Sequence, residues 1–195
     1  MLRITSGEFR GRLLKSPRGL LTRPTQARLR QALFNSIQTT IPEAKVLDLF
    51  AGSGALGFES LSRGASHVTF VENSRAAIKT IEENASDLKV LDRIEIISES
   101  VEKIAFRLLG KSAPFDVVLA DPPYIDGWEM QMLEGLKWPW DELLAEGGMF
   151  CLEWGNQKSQ VDSLPDRVGV LVKVREKNYG DSVLTTYTRS PHNEH

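Results

Sequence analysis

The chain has 195 residues, 41% of them hydrophobic and 26% charged, with a formal net charge of −2, which leaves room for one domain with a full core and too little for two. A single cysteine, Cys151, excludes a disulfide framework or a cysteine-based metal cluster, and of three histidines (His67, His192, His195) two fall in the last four residues, which argues against a histidine-centred site. The opening MLRITSGEFRGRLL lacks the apolar run of a signal peptide and no later stretch is long enough to span a membrane, so a cytoplasmic protein with no metal and no membrane partner is expected.

The charge is unevenly placed. Residues 1–30 carry Arg3, Arg10, Arg12, Lys15, Arg18, Arg23, Arg28 and Arg30 against Glu8 alone, a local net of +7, so the other 165 residues sum to −9. A basic arm on an acidic body points to a polyanionic partner held at one end. Gly7, Gly11, Pro17, Gly19 and Pro24 interrupt the arm, so it reads as an extended segment or hairpin presenting arginines rather than as a helix. Next, QARLRQALFNSIQ places Leu29, Ala32, Leu33 and Ile37 on one face of a helix, with Thr25 as N-cap and Pro42 as its stop.

An α/β alternation follows. KVLDLF (45–50), HVTFVE (67–72), RIEIIS (93–98), FDVVLAD (115–121) and GMFCLEW (148–154) read as strands. Between them ALGFESLSRG, SRAAIKTIEENASDL and VEKIAFRLL read as helices, then MQMLEGL and DELLA as helical pieces. VGVLVKVRE and SVLTTYTR, separated by KNYGD, read as a closing hairpin. Such alternation predicts an α/β fold: a mostly parallel twisted sheet, helices on both faces, a C-terminal antiparallel hairpin and a basic N-terminal extension. Ligands of such sheets bind at the carboxyl ends of the strands. Asp48 and Gly52, Glu72, Glu99 with Ser100, and Asp121 follow or end four consecutive strands, so one edge collects them all.

GSGALG (52–57) fits the dinucleotide fingerprint, and Glu72 stands 20 residues after Gly52, where a ribose-binding acid belongs. Gly52 and Gly54 let the backbone turn tightly beside a ligand, and the next helix offers free N–H groups. A carboxylate can hold the ribose diol of either NAD or S-adenosylmethionine. Asp48 beside the glycines repels a pyrophosphate and suits an α-ammonium and a sulfonium, which favours the methyl donor. A NAD-dependent oxidoreductase stays as the alternative from another class.

DPPY (121–124) follows an apolar strand. Two prolines stiffen the loop and remove donors, leaving acceptors beside an aromatic ring. Asp121 and the Pro122 carbonyl suit the two N–H groups of an exocyclic amine, and Tyr124 suits stacking on its base. The Asp121 carboxylate stabilises positive charge growing on the amine during attack on a methyl sulfonium. Cys151 reads as a core strand residue. Trp128, Trp138 and Trp140 read as core, lid or RNA-groove residues.

DLFAGSGALG with VEN and ADPPY resembles the S-adenosylmethionine-dependent amino methyltransferases. RITSGEFRGRLL, RPTQARLRQALFNSI, LDLFAGSGALGFESLSRGA and EKNYGDSVLTTYTR, in order, resemble the RsmD-like 16S ribosomal RNA (guanine-N2) methyltransferases over nearly the whole chain. The resemblance implies a Rossmann-like class I methyltransferase domain over 25–190, an RNA-facing extension over 1–24 and a tail over 191–195. It implies S-adenosylmethionine on Asp48, Phe50, Ala51, Gly52, Ser53, Gly54, Glu72, Asn73, Glu99 and Ser100. It implies catalysis by the loop of Asp121, Pro122, Pro123 and Tyr124. RNA is expected on Arg3, Arg10, Arg12, Arg18, Arg23 and Arg28, the partner being 16S rRNA or an assembling 30S subunit and the protein a monomer. Gln31 and Ser100 depart from the family pattern, where Glu and Ala are expected, and neither removes a group the chemistry needs. Asp rather than Asn at 121 fits guanine N2. Adenine N6 of DNA or RNA is the alternative acceptor.

Overall fold

The computed structural model describes residues 2–17, 24–109, 112–124, 127–134, 137–155 and 162–190. The arm forms a small antiparallel hairpin of β1 (Leu2–Arg3) and β2 (Leu13–Leu14). Helix α1 (Pro24–Ser36) starts one residue before the expected cap, so Thr25 lies inside its first turn. Proline suits a first helical position, whose N–H has no intrahelical partner. The helix stops at Ser36, well short of Pro42, and Thr40 and Ile41 then donate their N–H groups back to the Ile37 carbonyl (3.0 and 3.2 Å).

The remaining elements are β3 (Lys45–Leu49), α2 (Ala55–Ser62), β4 (His67–Glu72), α3 (Arg75–Leu88), β5 (Ile94–Ser98), α4 (Val101–Leu109), β6 (Phe115–Ala120), α5 (Trp128–Gln131), α6 (Trp140–Leu143), β7 (Leu144–Gly155), β8 (Arg167–Val168), β9 (Leu171–Tyr179) and β10 (Ser182–Arg189). They build an eight-stranded sheet in the order β5-β4-β3-β6-β7-β10-β9-β8. The first five strands are parallel and the last three antiparallel. Several boundaries differ from the sequence reading: the expected helical MQMLEGL is replaced by a short α5 over Trp128–Gln131, and VGVLVKVRE is split between β8 and β9. β7 takes in Leu144 and Ala145 from the expected helical DELLA, and β9 takes in Lys177, Asn178 and Tyr179 from the expected turn. β-branched and apolar neighbours paired on a long strand outweigh the local turn signal there.

Two apolar layers sandwich the sheet. On one face α4, α5 and α6 cover Leu47, Leu49, Val118, Phe150 and Leu152. Trp138 and Trp140 stack in this layer (ring centroids 5.4 Å apart) and Trp140 stacks on Phe150 (4.3 Å), so these two tryptophans are core residues. On the other face α1, α2, α3 and the hairpin's Leu2, Ile4 and Leu14 cover Val46, Val68, Phe70, Val117 and Cys151. The hairpin thus shares the core of the sheet. The chain crosses from β5 to β6 over the strands already laid down, which places the topological switch between β3 and β6, where a ligand crevice opens beyond the strand ends.

Candidate cofactor and catalytic site

A cavity of about 420 Å³ opens at that switch, within the usual ~300–1,000 Å³ of small-ligand sites. Its walls bring together Phe50, Glu72, Asn73, Glu99, Ser100, Asp121 and Pro123 from the expected residues, and add Val71, Val101, Glu102 and Trp128. The remaining expected residues are not part of its lining. Asp48 lies in β3, Ala51, Gly52, Ser53 and Gly54 make the loop between β3 and α2, and Pro122 and Tyr124 flank Pro123 in the loop after β6.

The loop geometry follows from its residues. Phe50, Gly52 and Gly54 all have left-handed φ (59°, 56° and 77°). At Gly54 a Cβ would lie 2.6 Å from the Phe58 ring, and at Gly57 one would lie 2.2 Å from the Phe70 ring. The third glycine of the fingerprint therefore lets α2 sit directly on β4. Phe50 is held edge-on against Trp128, with centroids 4.9 Å apart. Glu72 ties the loop to its own strand end: one carboxylate oxygen accepts the Gly52 N–H (2.8 Å), the other those of Asn73 and Ser74 (2.9 and 2.8 Å). Asn84 of α3 donates to the Ser53 carbonyl (3.2 Å) and the Lys15 carbonyl (3.1 Å) and accepts the Lys15 N–H (2.8 Å). The glycine loop and the end of the arm are thus fastened to one buried amide.

The cavity's electrostatics are one-sided. Glu72, Glu99, Glu102 and Asp121 line it, and no basic side chain does among the described residues. Asp48 is buried below; burial, with the charge of Glu72 adding, pushes its carboxyl up to about 8, against the opposing pull of the Gly57 N–H at 2.9 Å. Asp121 is also raised well above the ordinary carboxylate range, first by burial, then by the charges of Glu153 and Asp48. Crowded, desolvated carboxylates of this kind favour a cationic ligand and oppose a pyrophosphate. The residues present therefore fit S-adenosylmethionine, with its sulfonium and ammonium, and do not fit NAD. Glu99 is braced from α4 by Arg107 at 2.5 Å.

The DPPY loop has an anchor that the sequence did not reveal. The Tyr124 hydroxyl donates to the Glu153 carboxylate of β7 and lies 2.7 Å from the Ser182 hydroxyl at the start of β10. Its ring closes on Gly155, where a Cβ would meet the ring at 2.6 Å. Glu153 is 7% exposed and its carboxyl is raised by burial, partly offset by the bonds from Tyr124 and Ser182. An acid between Leu152 and Trp154, in a stretch otherwise apolar from Met149 to Trp154, was the available signal.

Of the arm's cations, Arg3 donates to the Gly11 carbonyl (2.6 Å), Arg12 to the Asp87 carbonyl (2.8 Å), and Lys15 pairs with Glu83 and Asp87 (3.3 and 2.9 Å). Arg10 and Arg28 are exposed and form no ion pair among the described residues; Arg18 and Arg23 lie outside those residues. Arg30 is not on the surface at all: it is 7% exposed, beside buried Glu59 at 3.9 Å. The described residues hold no cluster of side chains able to bind a metal, and no helix among them is long and apolar enough to cross a membrane.

Comparison with known proteins places this geometry. The family model described as Conserved hypothetical protein 95 matches residues 2–188. The ribosomal RNA small subunit methyltransferase D of Escherichia coli is 38% identical over 146 residues, 73% of this chain and 72% of that protein. Its namesake from Haemophilus influenzae is 39% identical over 125 residues, 63% of this chain and 64% of that protein. The solved structure of yhhF from Escherichia coli has 33% sequence identity, covers 96% of this chain and 97% of its own, and superposes with a TM-score of 0.76. The parallel sheet with its antiparallel C-terminal hairpin is that of the class I S-adenosylmethionine-dependent methyltransferases, and the chain belongs to the family of Conserved hypothetical protein 95, the RsmD-like methyltransferases.

Proposed function

We propose that the protein transfers a methyl group from S-adenosylmethionine to the exocyclic N2 amine of a guanine in 16S rRNA. The observation that carries the cofactor reading is that every charged side chain lining the cavity at the end of β3, β4, β5 and β6 is acidic. The name of the Escherichia coli relative, a ribosomal RNA small subunit methyltransferase, supports small-subunit rRNA as substrate, and Asp rather than Asn at 121 supports guanine as the acceptor base. S-adenosylmethionine supplies an electrophilic methyl group when bound.

The chain's own residues do the rest. Glu72 and Asn73 hold the ribose side, Glu99 and Ser100 the adenine side, and the loop from Asp48 to Gly54 the methionine side. Phe50 and Trp128 close apolar walls and exclude water, which strengthens every electrostatic interaction inside. Asp121 and the Pro122 carbonyl accept the two N–H bonds of the amine and orient its lone pair. As the amine becomes positive, the Asp121 carboxylate stabilises it. The Asp121 carboxylate then takes the proton that the methylated amine sheds. Arg10 and Arg28, with Arg3, Arg12, Arg18 and Arg23, engage the RNA backbone. The target guanine must leave any stack to reach the loop, at a cost of a few kcal/mol.

The test is transfer of labelled methyl from S-adenosylmethionine to 30S subunits and to naked 16S rRNA, both from a strain lacking this protein, followed by nucleoside analysis. N2-methylguanosine is the expected product. N6-methyladenosine would keep the cofactor site and overturn the acceptor. No label on either substrate would overturn the reading.

A further inference from the structure

We propose that one face of β9, presenting Arg175 and Lys177, is a second RNA contact that holds the strand beside the catalytic loop. The inference rests on the RNA reading above and adds to it a surface far from the arm in sequence.

The register fixes which side chains share that face. Arg175 pairs with Thr186, Lys177 with Leu184 and Tyr179 with Ser182. Leu184 packs into the layer beneath α1 and the hairpin, and Tyr179 packs partly against the same layer. Residues 175, 177 and 179 therefore face the side of the sheet that carries the basic arm, because side chains alternate along a strand. A bulge between Thr186 and Tyr187 shifts the alternation, and Lys173 falls on the opposite face. The two groups of cations are treated differently. Lys173 is 12% exposed and is consumed by Asp166 (3.0 Å), Glu176 (3.8 Å) and the Leu164 carbonyl (2.7 Å). Arg175 and Lys177 are exposed, and neither has a carboxylate within ion-pair distance among the described residues. Lys177 holds its ammonium 5.5 Å above the Tyr179 ring, which steadies the stem without neutralising the charge.

Position supplies the second argument. β9 runs antiparallel to β10 and ends at the edge where β10 begins. Ser182, the first residue after the Gly180–Asp181 turn, places its hydroxyl 2.7 Å from that of Tyr124 in the catalytic loop. A nucleotide seated on that loop thus has Tyr179 and Lys177 on the adjoining strand end. On an acidic body (−9 outside residues 1–30), an unneutralised cation pair next to an acidic cavity suits phosphates flanking the reacting base, whereas the cavity itself repels them. Phosphate contacts of this type position the strand without reading its sequence.

The experiment compares wild type with the Arg175→Ala/Lys177→Ala double variant, using a 16S rRNA transcript as probe. Kd is measured against salt, and KM and kcat are measured on 30S subunits. Loss of two phosphate contacts should make the log–log salt slope less negative by about 1.4 and raise the RNA KM about tenfold. S-adenosylmethionine affinity should stay unchanged, which also reports that the fold is intact. Arg175→Lys/Lys177→Arg should restore wild-type behaviour, and Lys45→Ala, at the opposite end of the parallel strands, should do nothing. An unchanged slope and KM in the double variant, with wild type binding RNA normally, would overturn this inference alone. Wild type that binds no RNA would overturn it together with the substrate reading.

Discussion

Replacing Glu59 by Gln tests whether the basic arm is built into the fold. Glu59 lies on α2 with its side chain 1% exposed. One carboxylate oxygen accepts the Thr5 hydroxyl (2.6 Å), the Ser6 N–H (3.1 Å) and Arg63 Nε (2.8 Å); the other accepts the Thr5 N–H (2.8 Å) and faces Arg30 Nε at 3.9 Å. A glutamine keeps one acceptor oxygen and turns an NH₂ group toward donors, and it leaves two guanidinium groups without their counter-charge. Each charge-assisted bond is worth ~1.5–3 kcal/mol, and breaking one side of a buried ion pair costs ~3–5 kcal/mol. These overlap rather than add, so a loss of about 3–5 kcal/mol is expected, or roughly 6–20 °C in Tm for a chain of this size. Urea unfolding reads the total, and hydrogen exchange at Leu2, Ile4 and Leu14 reads whether the hairpin detaches first. A loss below about 1 kcal/mol with unchanged hairpin protection would refute the clamp.

Three further outcomes follow from the site. Asp121→Ala should abolish turnover while leaving S-adenosylmethionine affinity within a few-fold of wild type by calorimetry; equal loss of both would move Asp121 into the cofactor site. Asp48 is held up to about 8, so S-adenosylmethionine affinity should rise as pH goes from 5.5 to 7.5, by at most about tenfold per unit, and Asp48→Asn should flatten the titration. In the free protein the sign reverses: a carboxyl raised by folding loses stability as pH rises from about 4 to about 8, so Asp48→Asn gains on wild type across that window in urea titrations at successive pH values. Tyr124→Phe and Glu153→Gln should each lower kcat about 10–100-fold with cofactor affinity intact, and the double variant should fall no further than the worse single one. Additive losses would show that the two groups act independently.

The sheet and its loops were legible because strand periodicity and glycine turns are local signals. DLFAGSG and DPPY sit at strand ends, and those strand ends meet at one cavity. What escaped was long-range. Glu59 reads as a solvated helix acid until Thr5, more than fifty residues away, is folded against it. Arg30 reads as one more basic residue of the arm until α1 turns it inward. Glu153 and Ser182 meet Tyr124 across three strands, a juxtaposition no spacing rule encodes. The N-cap at Thr25 failed because Pro24 competes for the first turn.

The hairpin's burial of Leu2, Ile4 and Leu14 among α1 and the sheet bears on how such an enzyme diversifies. Its leader is not a detachable module: trimming it strips the core, so a truncated protein that loses activity says nothing about RNA. New targets must come by changing side chains on the outward surface of a fixed scaffold, one charge at a time. A graft of the leader onto an unrelated methyltransferase would carry its arginines without the shelf that aims them.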